Sequence, residues 1–140
     1  MRRLKPGITL LDEKEGEGRA ADRGDDVVYN LRLYLHRGDE VPLNQKEIEQ
    51  LRGWLTREVD GQRLLDRTNT LGQREVIAAV EYTLLGMKPG GFRRVRASPH
   101  LAYRDRGLPG LIPGDAVLIL EVWLQAFAEG PPRYGFGGKT

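Results

Sequence analysis

Residues 84–97 read Leu84-Leu85-Gly86-Met87-Lys88-Pro89-Gly90-Gly91-Phe92-Arg93-Arg94-Val95-Arg96-Ala97, and they hold the end of one element, a tight turn and the start of another. Upstream, Val76, Ile77, Val80 and Leu84 recur along one helical stripe after Gly72. Gly86 stands where such a helix closes in a left-handed conformation, which glycine adopts without a Cβ penalty. Lys88, Pro89, Gly90 and Gly91 form a turn signal. The six residues that follow fit a strand, with Val95 and Ala97 inward and Arg94 and Arg96 outward.

On the C-terminal side, residues 98–114 hold three prolines and three glycines around Leu101, Tyr103, Leu108, Leu111 and Ile112. Loops normally cross the surface with polar side chains, so one this apolar is expected to fold over a hydrophobic concavity. Residues 117–125 then place Leu118, Leu120, Val122 and Leu124 on one face of a strand and Val117, Ile119, Glu121 and Trp123 on the other. The second face needs cover, from an amphipathic helix at 44–58 or from a dimer partner. That helix is read from Asn44 and Glu47 at capping-box spacing and from Ile48, Leu51 and Leu55, with Asp60 and Gly61 marking its exit. Trp54 on it is read as packing against Val117, Ile119 or Trp123, with an exposed peptide-binding aromatic as the alternative.

On the N-terminal side, Val27, Tyr29, Leu31, Leu33 and Leu35 alternate with Val28, Asn30, Arg32, Tyr34 and His36. Period two over ten residues is a half-buried strand with the odd positions facing the core. Residues 16–26 read as a solvated turn region after a short strand at 8–13. Strands around one or two helices give an α+β fold.

The 140 residues suit one domain, placed at 1–128 with an insertion at 44–60 and a Gly- and Pro-rich tail at 129–140. A net charge of +2 gives little electrostatic reason for a nucleic-acid or membrane partner. An arginine run at Arg93, Arg94, Arg96, Arg104 and Arg106 reads as a solvated face rather than a phosphate-binding one. With no cysteine and two isolated histidines, His36 and His100, neither disulfide nor metal site is expected. The apolar run at 8–11 is too short for a signal core or a membrane span; a cytoplasmic protein is the simplest reading, with a mature exported form as the alternative.

Three segments in register carry a family resemblance. The run 84–91 followed by Arg93 and Arg94 resembles the signature of the FKBP-type peptidyl-prolyl isomerases, in which a short helix ends in Gly-Met, a charged residue and paired small residues. Pro99, His100, Leu101, Ala102 and Tyr103, then Gly107 to Pro113, resemble the long loop before that family's final strand. Leu71, Gly72, Glu75, Val76 and Ile77 resemble the start of its central helix. The resemblance covers about residues 7–126 outside the insertion, and implies an antiparallel sheet curled around a short central helix.

It also implies a site. Ile77 would supply a wall and a backbone N–H for one substrate carbonyl, and Tyr103 a hydroxyl for a second. Leu111, Ile112 and Leu120 would line an apolar pocket with Leu108. Val80 stands where the family has a tryptophan, Leu120 where it has a phenylalanine, and Leu31 where it has a tyrosine. Val41 and Pro42 fall where a phenylalanine and an aspartate are usual, and a further family aromatic has no clear counterpart near Arg67. Arg104 replaces a usual glycine. By pattern alone, Leu111, Ile112 and Leu120 read as core residues, and Tyr103 reads equally as core or site.

An amide before proline rotates over a barrier of about 18–20 kcal/mol because its C–N bond has partial double-bond character. Lowering that barrier needs no nucleophile, titrating base or cofactor, so a chain without a catalytic triad or carboxylate pair remains compatible with catalysis. The expectation is therefore a weak isomerase, monomeric or weakly dimeric, acting on proline-containing peptides or unfolded segments. The alternative is a non-catalytic peptide-binding module on the same fold.

Overall fold

The computed structural model describes residues 2–42 and 56–128. In chain order these form β1 (Arg2–Lys5), β2 (Ile8–Lys14), β3 (Asp26–Leu35), β4 (Glu40–Val41), β5 (Thr56–Val59), β6 (Gln62–Leu65), β7 (Arg67–Thr70), α1 (Ala78–Leu84), β8 (Phe92–Ala97) and β9 (Leu118–Phe127). The main sheet runs β1-β2-β8-β9-β3-β4, with β7 also paired to β3. Every pairing in it is antiparallel. One short α-helix against an antiparallel sheet is the α+β arrangement expected from the sequence.

β3 is the axis of the sheet. On one side it pairs with β9 from Val27 to Leu35; on the other, β7 takes its first half and β4 its second. Its alternation holds, since Val27, Tyr29, Leu31 and Leu33 are all buried. They join Ala79, Val80 and Leu84 of α1, Val95 and Ala97 of β8, and Leu118, Leu120, Val122 and Leu124 of β9 in one core. Each buried leucine there contributes roughly 1.5–3 kcal/mol. α1 ends as the sequence predicts, with Gly86 at φ 88°.

The outer face of β9 is covered differently from the expectation. Asp60 and Gly61 have φ of 48° and 83°, and β5 pairs with β6 directly across them. Positive φ at both central residues is the two-residue hairpin turn that Asp-Gly favours. These residues therefore turn a hairpin and do not close a helix, and Thr56, Arg57 and Glu58 belong to a strand. The rest of the expected helix, Trp54 included, lies outside the described residues. Val59 and Leu64 of the hairpin pack on Trp123 and Phe92, whose rings lie 5.1 Å apart. The Trp123 indole N–H donates to the Asp60 carboxylate at 3.1 Å.

The same hairpin covers the back of β3. Asn30 is fully buried there. Its amide donates to the Leu65 carbonyl at 2.9 Å and to the Asp66 carboxylate at 2.8 Å, and its oxygen accepts from Gln125 at 2.8 Å. Arg57 bonds both Asp66 oxygens, at 2.8 and 3.1 Å, and Gln125 at 3.1 Å. A buried amide left unpaired is costly, and this network answers that requirement.

Two readings are revised. Residues 16–26 are not simply a solvated turn: Ala21 is buried, its N–H donates to the Met87 carbonyl and its own carbonyl accepts from Gly86 N–H. Arg93 leaves the arginine face and turns inward, 8% exposed. Its guanidinium donates to the Thr83 and Leu85 carbonyls at the end of α1, both at 3.0 Å, and to Glu13 at 3.1 Å. It satisfies carbonyls that a helix end leaves without intrahelical donors and ties α1 to β2 and β8. Arg94, on the opposite face and 40% exposed in its side chain, pairs with Glu121 at 2.9 Å.

These environments predict different costs. Arg93→Met should lower the unfolding free energy by about 2–3 kcal/mol, since it orphans two carbonyls and leaves Glu13 only the exposed Arg2 as a partner. Arg94→Met should change it by less than about 1 kcal/mol. Urea denaturation of both variants measures the contrast.

Candidate active site

A cleft of about 470 Å³ opens on the inner face of β3. Its floor and near wall are Leu31 and Leu33 of β3 and Val80 of α1, with Tyr29 beside them. The size accommodates a prolyl residue and its flanking backbone. Arg67 of β7 and Glu75 and Val76 from the segment before α1 complete one side, and Tyr103 from the 98–114 loop completes the other.

The segment 71–77 is pinned from both ends. Thr70 N–H donates to Glu75 Oε1 at 2.9 Å and Gly72 N–H to Glu81 Oε2 at 3.0 Å. Ile77 then sits at the N-cap of α1 in an extended conformation, φ −60° and ψ 149°. Its carbonyl accepts from Val80 and Glu81 N–H, while its own N–H has no acceptor among the described residues. That is the ordinary state of an N–H at a helix start, and here it lies at a cleft.

Tyr103 is presented by a loop built from backbone bonds. Arg104 N–H reaches the Pro99 carbonyl at 2.9 Å, Gly107 N–H the Tyr103 carbonyl at 3.0 Å, and Asp115 N–H the Arg104 carbonyl at 2.7 Å. Arg104 takes φ 57°, a left-handed conformation that costs a residue with a Cβ about 1–2 kcal/mol. The glycine geometry is thus kept without the glycine. The Tyr103 hydroxyl has no hydrogen-bond partner among the described residues. Burial raises its pKa above the ordinary tyrosine value, with the Arg67 charge opposing. Tyr29 differs: its hydroxyl donates to Asn69 Oδ1 at 2.7 Å, and burial pushes its pKa up to about 12.

Of the residues singled out from sequence, Ile77, Tyr103, Val80 and Leu31 line this cleft together. The others lie elsewhere. Val41 is buried in β4 opposite Leu33, and Leu120 is wholly buried in β9. Ile112 is buried and paired with Leu108 inside the loop, and Leu111 at the loop tip is 40% exposed. Tyr29, Leu33, Arg67, Glu75 and Val76 complete the lining. Alternation read backwards from Leu71 through Asn69 would have put Arg67 on the inward face.

The chemistry available is binding and desolvation: an aliphatic floor with two donors, Ile77 N–H and Tyr103 O–H, at its rim. The FKBP-type peptidyl-prolyl cis-trans isomerase family profile matches residues 17–125. FK506-binding protein 1A of Neurospora crassa is 32% identical over 119 residues, 84% of this chain and 86% of that protein. FK506-binding protein 4 of Chaetomium thermophilum is 33% identical over 118 residues, again 84% of this chain but 21% of that protein. FK506-binding protein 2B of Rhizopus delemar is 46% identical over 61 residues, 44% of this chain and 29% of that protein. The chain therefore spans about a fifth of the longer relative and most of the shorter one. With the profile over most of the chain and the antiparallel sheet around α1 in agreement, the chain belongs to the FKBP-type peptidyl-prolyl cis-trans isomerase family.

Proposed function

We propose that the chain isomerises X-Pro bonds of peptides or unfolded segments in the cleft of Leu31, Val80, Ile77 and Tyr103, and that it does so weakly. The observation that carries this reading is a pair of donors with no acceptor among the described residues, Ile77 N–H and Tyr103 O–H, in the lining of a largely aliphatic cleft. The proline ring would sit against Leu31, Leu33 and Val80, and the flanking carbonyls would take the two hydrogen bonds. Leaving water removes hydrogen bonds that favour the planar amide, and a site fitted to the twisted amide lowers the barrier by that difference in binding. Each 1.4 kcal/mol or so of such preference gives roughly tenfold in rate.

The floor explains the expected weakness. Rings provide large, rigid contact area at little conformational cost. Leu31 and Val80 supply smaller aliphatic surface where the family has rings, so less of the binding is specific to the twisted state. A non-catalytic peptide-binding module remains the second reading, favoured by the same two residues.

Acceleration of Leu-Pro isomerisation by micromolar protein in a protease-coupled assay is the direct test. A folded sample without acceleration would leave the binding-module reading. Tyr103→Phe should lower kcat/KM about fivefold to tenfold, the size of one hydrogen bond worth roughly 1–1.4 kcal/mol; an unchanged rate would remove Tyr103 from the site.

The pH profile provides a second check. Burial keeps the Tyr103 and Tyr29 hydroxyls protonated beyond the ordinary range, and no histidine lines the cleft. kcat/KM should accordingly be flat from about pH 6 to about pH 9. A bell-shaped dependence would mean that a titrating group takes part.

A further inference from the structure

Arg67 has no counterpart in a purely apolar proline pocket. It lies on β7 opposite Tyr29, and its side chain lines the cleft with Ile77, Val80 and Tyr103. Its Nε is buried without a hydrogen-bond partner, and among the described residues its guanidinium makes no ion pair. Arg32, Arg57, Arg93 and Arg94 each bond a carboxylate, Glu40, Asp66, Glu13 and Glu121 respectively. Arg96, also part-buried, makes no ion pair among the described residues, but Arg67 alone of the two has a buried guanidinium nitrogen without a partner.

The nearby carboxylates make no ion pair with Arg67. Asp66, next in sequence, is held by Arg57 and Asn30 on the outer side of the sheet. Glu75 lines the same cleft, but one of its oxygens accepts from Thr70 N–H. The charge of Arg67 opposes the effect of burial on Tyr103 and on Tyr29, at Tyr29 against the carboxylates of Glu75 and Glu81.

A buried guanidinium nitrogen without a hydrogen-bond partner, on a cation that no carboxylate contacts, is costly unless a ligand supplies the acceptor. The planar guanidinium fork matches carboxylate and phosphate oxygens. We propose that Arg67 binds an anionic side chain, carboxylate or phosphate, borne by a residue beside the substrate proline, so that the cleft selects acidic over aliphatic X-Pro segments. This rests on the isomerase reading for its catalytic consequence, though not for the binding itself.

The test uses the full chain and peptides alike except beside the proline, where they carry Glu, phosphoserine, Leu or Lys, placed before or after it. Exchange NMR gives isomerisation rates and calorimetry gives affinity. At low salt, kcat/KM for a Glu-Pro or phosphoserine-Pro peptide should exceed that for Leu-Pro at least about fivefold, with Lys-Pro lowest and the preference shrinking as salt rises. Arg67→Leu should abolish the preference, cutting acidic-peptide kcat/KM by about tenfold, equivalent to ~1.4 kcal/mol, and Arg67→Lys should retain part of it. A response to phosphoserine alone identifies phosphate as the anion, and a response to Glu alone identifies carboxylate.

Leu-Pro matching the acidic peptides, or an acidic preference that survives Arg67→Leu, would overturn the inference while leaving isomerase activity intact. A preference for Lys-Pro would show that Glu75 dominates the cleft and overturn it equally. If no peptide is isomerised, the catalytic reading falls and affinity decides: acidic peptides bound by the wild type and lost in Arg67→Leu support the anion site, and equal affinities refute it. Thermal melting checks the fold of each variant, and Arg67→Gln, which removes the charge and keeps polarity, replaces Arg67→Leu if the latter unfolds.

Discussion

The antiparallel union of β3 with β9 is the contact on which the other elements depend. β3 carries Leu31 and Leu33 to the cleft and Asn30 to the opposite face, so one strand sets the position of the pocket floor and of the hairpin behind it. β9 fills the core beneath that floor with Leu118, Leu120, Val122 and Leu124. Because strand side chains alternate, a slip of one residue in this pairing would exchange the two faces. It would drive Asn30 and Arg32 into the core and expel Leu31. The apolar density of β9 on both faces makes sense in this light: one face meets α1 and the other meets the β5–β6 hairpin.

Much of this was legible from local sequence, and the failures share a cause. The period-two run at 27–36, the glycine stop after α1 and the apolar loop before β9 are signals contained within a few residues, and each led to the right element. Ile77, Val80, Leu31 and Tyr103 were placed by family resemblance, and the fold does bring them to one cleft. The hairpin at 56–65 was missed because apolar residues at helical spacing just upstream outweighed Asp60-Gly61, a turn pair whose meaning depends on what flanks it. In sequence Arg93 reads as a surface charge because its partners, Glu13 and the Thr83 and Leu85 carbonyls, become neighbours only once α1, β2 and β8 are assembled. Leu111 and Ile112 are adjacent and equally apolar, yet one is exposed and the other buried; the loop's backbone path decides between them, and composition does not encode it.

As proposed, the cleft would combine two kinds of recognition that are usually at odds. Desolvation of the amide calls for apolar walls, which Leu31, Leu33 and Val80 supply. A guanidinium in the same lining brings charge beside those aliphatic groups. Lower effective dielectric strengthens its attraction for an anion and also raises the penalty when none is bound. Such a site is poorly suited to indifferent binding of every prolyl segment and better suited to a narrow class of them.

The Asn30–Asp66–Arg57–Gln125 network behind β3 has a mechanical consequence. It braces the cleft floor from the rear, so that wall resists deformation under a bound peptide. The 98–114 loop is closed largely by hydrogen bonds among its own residues, and local closures of this kind open at lower free energy than a strand paired on both sides. The two donors at the rim thus belong to parts of unequal stiffness, Ile77 to the anchored start of a helix and Tyr103 to a compliant arm. A peptide entering such a jaw would meet one fixed side and one yielding side, and the yielding side would set how quickly it is released.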